Sequence, residues 1–130
     1  MQLKNSGLAR SIVSGLFGFL AYGGWAFYAN YAHGVDAATK AAFTQGSYSF
    51  TVTLVMTLLM ESLFRLLSNP ALSFCTTFFV TCTILYSSSW GINVLAGTPE
   101  ILMTILPGII IGTVYTFVYT LSLARLQVSQ

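Results

Sequence analysis

Apolar positions along this chain come in long unbroken runs, not in alternation, and polar residues collect where the runs end. Four runs can be drawn, over residues 11–32, 44–67, 71–95 and 101–123. Each has the roughly 20 residues that a helix needs to cross the hydrocarbon core of a bilayer. Lipid offers no partners to backbone N–H and C=O groups, so apolar runs of this length cross as helices that satisfy themselves. The pattern predicts an all-α membrane protein, a single domain built as a four-transmembrane-helix bundle.

The interruptions carry turn chemistry. Residues 33–43 hold Gly34, Asp36 and Lys40, the longest polar stretch between runs, and read as a loop. Ser68-Asn69-Pro70 reads as a tight turn, because proline disfavours helix at the residue before it and is tolerated in the first turn of the next. In Gly97-Thr98-Pro99-Glu100 the proline is placed to open a helix, with Glu100 near its positive end. The first run follows Lys4 and Arg10, as a secretory signal would. Its apolar and aromatic character continues through Trp25, Phe27, Tyr28 and Tyr31, past a signal core, which favours a retained span.

Charge then fixes an expected orientation. With the N-terminus in the cytoplasm, Lys4, Arg10, Arg65 and Arg125 all fall inside and only Lys40 outside. That split is the one the positive-inside rule selects, so both termini are expected in the cytoplasm, in a multi-pass protein of a bacterial cytoplasmic (inner) membrane. Composition agrees: of 130 residues 55% are hydrophobic and only 6% charged, against about a quarter charged in soluble domains. A net charge of +2 with no basic cluster excludes nucleic acid as an expected partner. Cys75 and Cys82, seven residues apart in one run, would stand about 10 Å apart along a helix, too far for a disulfide.

The second run contains the most informative pattern. Gln45, Ser49, Thr53, Thr57, Glu61 and Arg65 are polar and each four residues from the next. Such a row forms a ridge that drifts about 40° around the helix per step, and it is the candidate polar pathway. Glu61 is the one acidic residue inside a predicted span. An intramembrane carboxylate is a functional candidate whose partner should be named. Arg65, one turn away and able to reach the headgroups, is the expected partner, which favours an ion pair closing the helix.

Small residues recur at four-residue spacing: Ser11 with Gly15, Ser14 with Gly18, and Gly108 with Gly112. Such pairs let helix backbones approach, where packing and not the hydrophobic effect drives association. Gly23-Gly24 and Ser87-Ser88-Ser89 read as interruptions of their helices, beside an aromatic belt of Trp25, Tyr28, Tyr31, Tyr86 and Trp90. Residues 44–67 and 104–127 share six identities at an offset of sixty, among them Thr53 with Thr113 and Arg65 with Arg125. This is a weak echo of the hairpin repeats found in some transporters.

No His, Cys, Asp or Glu group has metal-ligand spacing and no glycine loop could cradle phosphate. His33 and Asp36 are the only close acid–base pair. The expectation is a protein that is not an enzyme and has neither cofactor nor metal, and no motif set identifies a family. Two functions follow. A transporter of a small solute or ion through a polar seam would have a wet mid-membrane cavity lined by Thr53, Thr57 and Glu61, with Thr77, Thr81 or Thr116 nearby. A non-catalytic accessory or assembly subunit would have a dry interior and a face awaiting a partner. Expected partners are the lipid bilayer and either further copies of the chain or a larger membrane complex.

Overall fold

The computed structural model describes the backbone of residues 2–128 and the side chains of 8–10 and 12–128. Lys4 and Ser11, used above for orientation and for a small-residue pair, have side chains outside the described residues. The described residues form four helices: α1 (Gln2–Asn30), α2 (Val35–Arg65), α3 (Pro70–Ala96) and α4 (Ile101–Val128), with one 3-10 turn among them at Tyr31–His33. All four are long and apolar enough to cross a membrane. At 27 to 31 residues, each spans about 40–46 Å, more than a hydrocarbon core of about 30 Å.

The expected bounds of α3 and α4 lie close to the observed ones, but the loop expected over 33–43 does not exist. The break is confined to Gly34, whose φ of 102° no other residue adopts readily. From Val35 the chain is already helical, because Ala37, Ala38, Ala41 and Ala42 are strong helix formers and Asp36 suits the first turn. Ala38 and Ala41 are buried. The polarity of this segment therefore marks where the helix leaves the apolar layer, not where it ends. Gly23-Gly24 and Ser87-Ser88-Ser89, expected as interruptions, also lie within continuous helix.

The other turns close as their residues dictate. Asn69 caps α3, its side chain accepting from the N–H groups of Ala71 (3.0 Å) and Leu72 (3.3 Å), with Pro70 as first helical residue. Gly97 ends α3 in the left-handed conformation, φ 70°. The turns at Gly34 and Gly97 share one end of the bundle, where His33 Nε2 stands 3.0 Å from Glu100 Oε1. His33 thus pairs across the bundle with Glu100, not with Asp36 beside it in sequence.

Consecutive helices are antiparallel, and α1 packs most extensively on α2. Among the described residues the backbones of neighbouring α1 and α4 approach far less, and those of α1 and α3 do not come close, so α2 and α4 form the short diagonal. Those two run parallel, and Thr120 meets the sulfur of Met60, so positions matched by the sixty-residue echo stand at one level.

The interior is more polar than the exterior. Among the described residues, twelve polar side chains are buried against nine hydrophobic ones, while Phe17, Leu20, Phe79 and Leu102 point outward. Each helix contributes a four-residue row: Ser14-Gly18-Tyr22-Ala26-Asn30 on α1, Ser73-Thr77-Thr81-Leu85-Ser89-Asn93 on α3, Thr104-Gly108-Gly112-Thr116-Thr120 on α4. Small and hydroxyl side chains let ridges interlock closely, and Thr104 and Thr116 bond back to the carbonyls of Glu100 (2.5 Å) and Gly112 (2.7 Å) four residues earlier.

Candidate functional site

Ridge drift decides what the polar row on α2 becomes. Gln45 and Ser49 are buried, 2% and 5% exposed. Further along, Met56, Met60 and Phe64 are the buried residues of α2, because a helix of 3.6 residues per turn brings them, and not Thr57, Glu61 and Arg65, under the same neighbours. The row therefore starts inside the bundle and rotates out of it.

Where it is inside, it lines a cavity of about 260 Å³ between all four helices. Gln45, Ser49 and Thr53 form one wall; Ser14 and Tyr22 of α1, Tyr48 of α2, Ser89 of α3, and Tyr115 and Thr116 of α4 supply its other polar side chains. Of the neighbours expected from sequence, Thr116 is present. Thr77 and Thr81 are fully buried elsewhere on α3, their hydroxyls without a hydrogen-bond partner. The cavity lies near the middle of each helix, the level that would meet the midplane of a bilayer crossed by all four.

Beyond the cavity, toward the Gly34 and Gly97 turns, stand two asparagines, one of them bonded to Gln45. Asn93 donates to Gln45 Oε1 (2.9 Å) and to Ser89 O (2.9 Å), and accepts from the hydroxyl of Thr98 (2.8 Å). Asn30 donates to Ala26 O (2.8 Å) and Thr104 Oγ1 (2.7 Å), and accepts from the N–H of Glu100 (3.0 Å). Both are fully buried, and these bonds use their donors and acceptors, as buried amides require. Gln45 differs. Its Oε1 is occupied, yet its Nε2 has no acceptor among the described residues, and it faces the missing side chain of Gly108, 3.7 Å from where a Cβ would lie.

Thr57, Glu61 and Arg65 form a separate group on the flank between α2 and α4. Thr57 Oγ1 lies 3.0 Å from the hydroxyl of Tyr115, and Tyr119 stacks on Tyr115. Tyr119 donates to Glu61 Oε1 at 2.5 Å, whereas Arg65, 81% exposed, stands 3.9 Å from Glu61 Oε2. The expected partner is thus the outer, looser one; the closer is Tyr119, invisible in sequence because it comes from another helix.

Trp25, expected in the aromatic belt, has a more specific place. Pro107 lies inside α4 and has no N–H, which leaves the carbonyl of Met103, four residues earlier, without its helical donor. The indole N–H of Trp25 supplies one at 2.7 Å, so α1 repairs a defect in α4.

Among the described residues, no three His, Cys, Asp or Glu side chains converge on a point that could hold a metal ion. Compared with known protein families, curated proteins and solved structures, the chain matches none of them.

Proposed function

We propose that this protein is a non-enzymatic membrane carrier for a small solute, with the cavity beside Gln45 as its binding site. The reading places it in a cytoplasmic membrane with both termini inside, as the distribution of cations suggests. One observation carries it: a cavity walled by all four helices, apolar over most of its surface, into which the buried residue Gln45 presents an amide nitrogen that makes no hydrogen bond to the described residues. Polar groups inside a membrane bundle are unfavourable unless paired, and they cluster along solute pathways. The accessory-subunit alternative expects a dry, fully packed interior, and the cavity ranks it second.

The test is a panel of small solutes applied to the purified protein in mild detergent, read as thermal stabilisation. A ligand at a hundred times its Kd stabilises by about 2.7 kcal/mol. At least one solute should raise the unfolding temperature by several degrees, and Gln45→Leu should remove that shift. No stabilising solute, together with a stoichiometric partner on copurification, would put the accessory subunit first.

A further inference from the structure

We infer that the cavity takes an uncharged, partly apolar molecule carrying a hydrogen-bond acceptor, and that this molecule reaches it sideways from the bilayer between α1 and α4. The inference rests on reading the cavity as the solute site.

The lining sets the ligand class. No charged side chain lines the cavity among the described residues. The nearest carboxylate on α2, Glu61, is five residues past Met56, the last α2 residue of the wall, about 7.5 Å along the helix, and is already engaged by Tyr119. An ion would enter without a counter-charge in a low-dielectric setting, which is strongly unfavourable. The unpartnered donors are specific. Gln45 Nε2 is held in place because Asn93 fixes the amide's orientation, and Asn93 is itself fixed by Ser89 O and Thr98. The hydroxyl of Tyr22 also makes no hydrogen bond to the described residues. The rest of the wall includes Val52, Met56, Leu85 and Ile111. At about 260 Å³, the site suits a molecule of roughly ten heavy atoms, below drug size.

The route follows from what is closed. Toward the Gly34 and Gly97 turns the asparagine networks tie α1 to α4 and α2 to α3. Toward the Asn69 turn, Met56, Met60 and Phe64 are buried across the bundle axis. On the remaining side, a groove of about 630 Å³ runs between α1 and α4, past Val13, Phe17, Ala21 and Pro107. Groove and cavity share Ser14, Gly18, Tyr22 and Ile111 as walls, so these four residues are what stands between the groove and the cavity. Gly18 is the narrow part of that wall: a Cβ there would meet only Tyr22, at 4.0 Å, so a larger side chain fits the gap without displacing backbone.

The experiment reads access directly. In full-length protein reconstituted in lipid nanodiscs, with Cys75→Ser and Cys82→Ala, Ser49→Cys (or Thr53→Cys, should the first fail to fold) places a thiol on the cavity wall. It is reacted with neutral benzyl methanethiosulfonate and with the charged trimethylammonioethyl reagent; each leaves its thiol half on the cysteine as a disulfide and releases methanesulfinate. The neutral reagent should label about a hundredfold faster, and Gly18→Phe should slow it about tenfold. Lipid-facing Cys75, retained alone in a second protein, should react with the neutral reagent equally with or without Gly18→Phe. Ala21→Phe, which narrows the groove but not the cavity, should also slow labelling at residue 49.

Equal labelling by both reagents, an unchanged rate after both plugs, or no labelling while Cys75 reacts would each overturn the inference. The carrier reading fails differently: lateral labelling would persist, but no solute would stabilise the protein in a Gln45-dependent way.

Discussion

Helix α1 makes two seams, and they differ in kind. Against α2 it is knitted by glycine: a Cβ on Gly46 would lie 3.0 Å from both the ring and the carbonyl oxygen of Phe19, one on Gly23 3.0 Å from the carbonyl of Ala42, and one on Gly15 within 2.6 Å of the Phe50 ring. Against α4 the same helix is tied at one end by Asn30 and Trp25 and stands apart below. Both seams use small residues at four-residue spacing. What separates them is the partner: α2 fills the gaps with Phe50 and its own backbone, while α4 puts no atom within 4 Å of a Cβ on Gly18. A small-residue row permits close approach but does not compel it.

The largest test of this contrast pairs two glycines. Gly46→Leu must push α1 away from α2 and should destabilise the protein by about 2–3 kcal/mol, as overpacking does. Gly18→Phe, projecting into the open groove, should change stability by less than about 0.5 kcal/mol. Thermal unfolding in one detergent compares them, and similar losses would mean that the two seams are equally tight.

A middle-sized effect is expected at the tie. Asn30→Ala removes two donated bonds and one accepted bond and leaves the N–H of Glu100 without its partner. The loss should be about 2 kcal/mol. Hydrogen exchange should quicken around residues 100–104, while the glycine seam near residues 15–23 keeps its protection. Uniform loosening of all of α1 would show that the two seams are not independent.

The smallest effect is the most specific. Trp25→Phe removes one hydrogen bond across the open seam and should cost about 0.6–1 kcal/mol. In a Pro107→Ala background the restored N–H of residue 107 can serve Met103 O itself, so Trp25→Phe should then cost close to nothing. An unchanged cost in both backgrounds would mean that Trp25 contributes only packing.

These contrasts also separate what could be read from the chain alone. The turns at Asn69 and Gly97 were legible because proline, glycine and a capping asparagine act through their own backbones. The expected loop over 33–43 was not, because its polarity reports solvent while its alanines report helix, and only packing against α1 joined the two. Tyr22, Tyr48, Ser89 and Tyr115 were missed as cavity residues; the four-residue rows on α1, through Tyr22, and on α3, ending in Ser89 and Asn93, were the available signals. They repeat the spacing already visible on α2.

Sequence by itself determined the all-helical class, four helices of membrane-crossing length and a polar row on α2, since these depend on local hydropathy and on the fixed 3.6-residue turn. Tertiary structure decided where that row is buried, because a ridge drifting around its helix meets different neighbours at each level. It gave Gln45 a cavity and left Arg65 exposed, though the two belong to one pattern. It paired Glu61 with Tyr119, His33 with Glu100, and Trp25 with the carbonyl that Pro107 leaves free. Each pair joins residues fifty-eight or more positions apart, and nothing local to either member specifies the other.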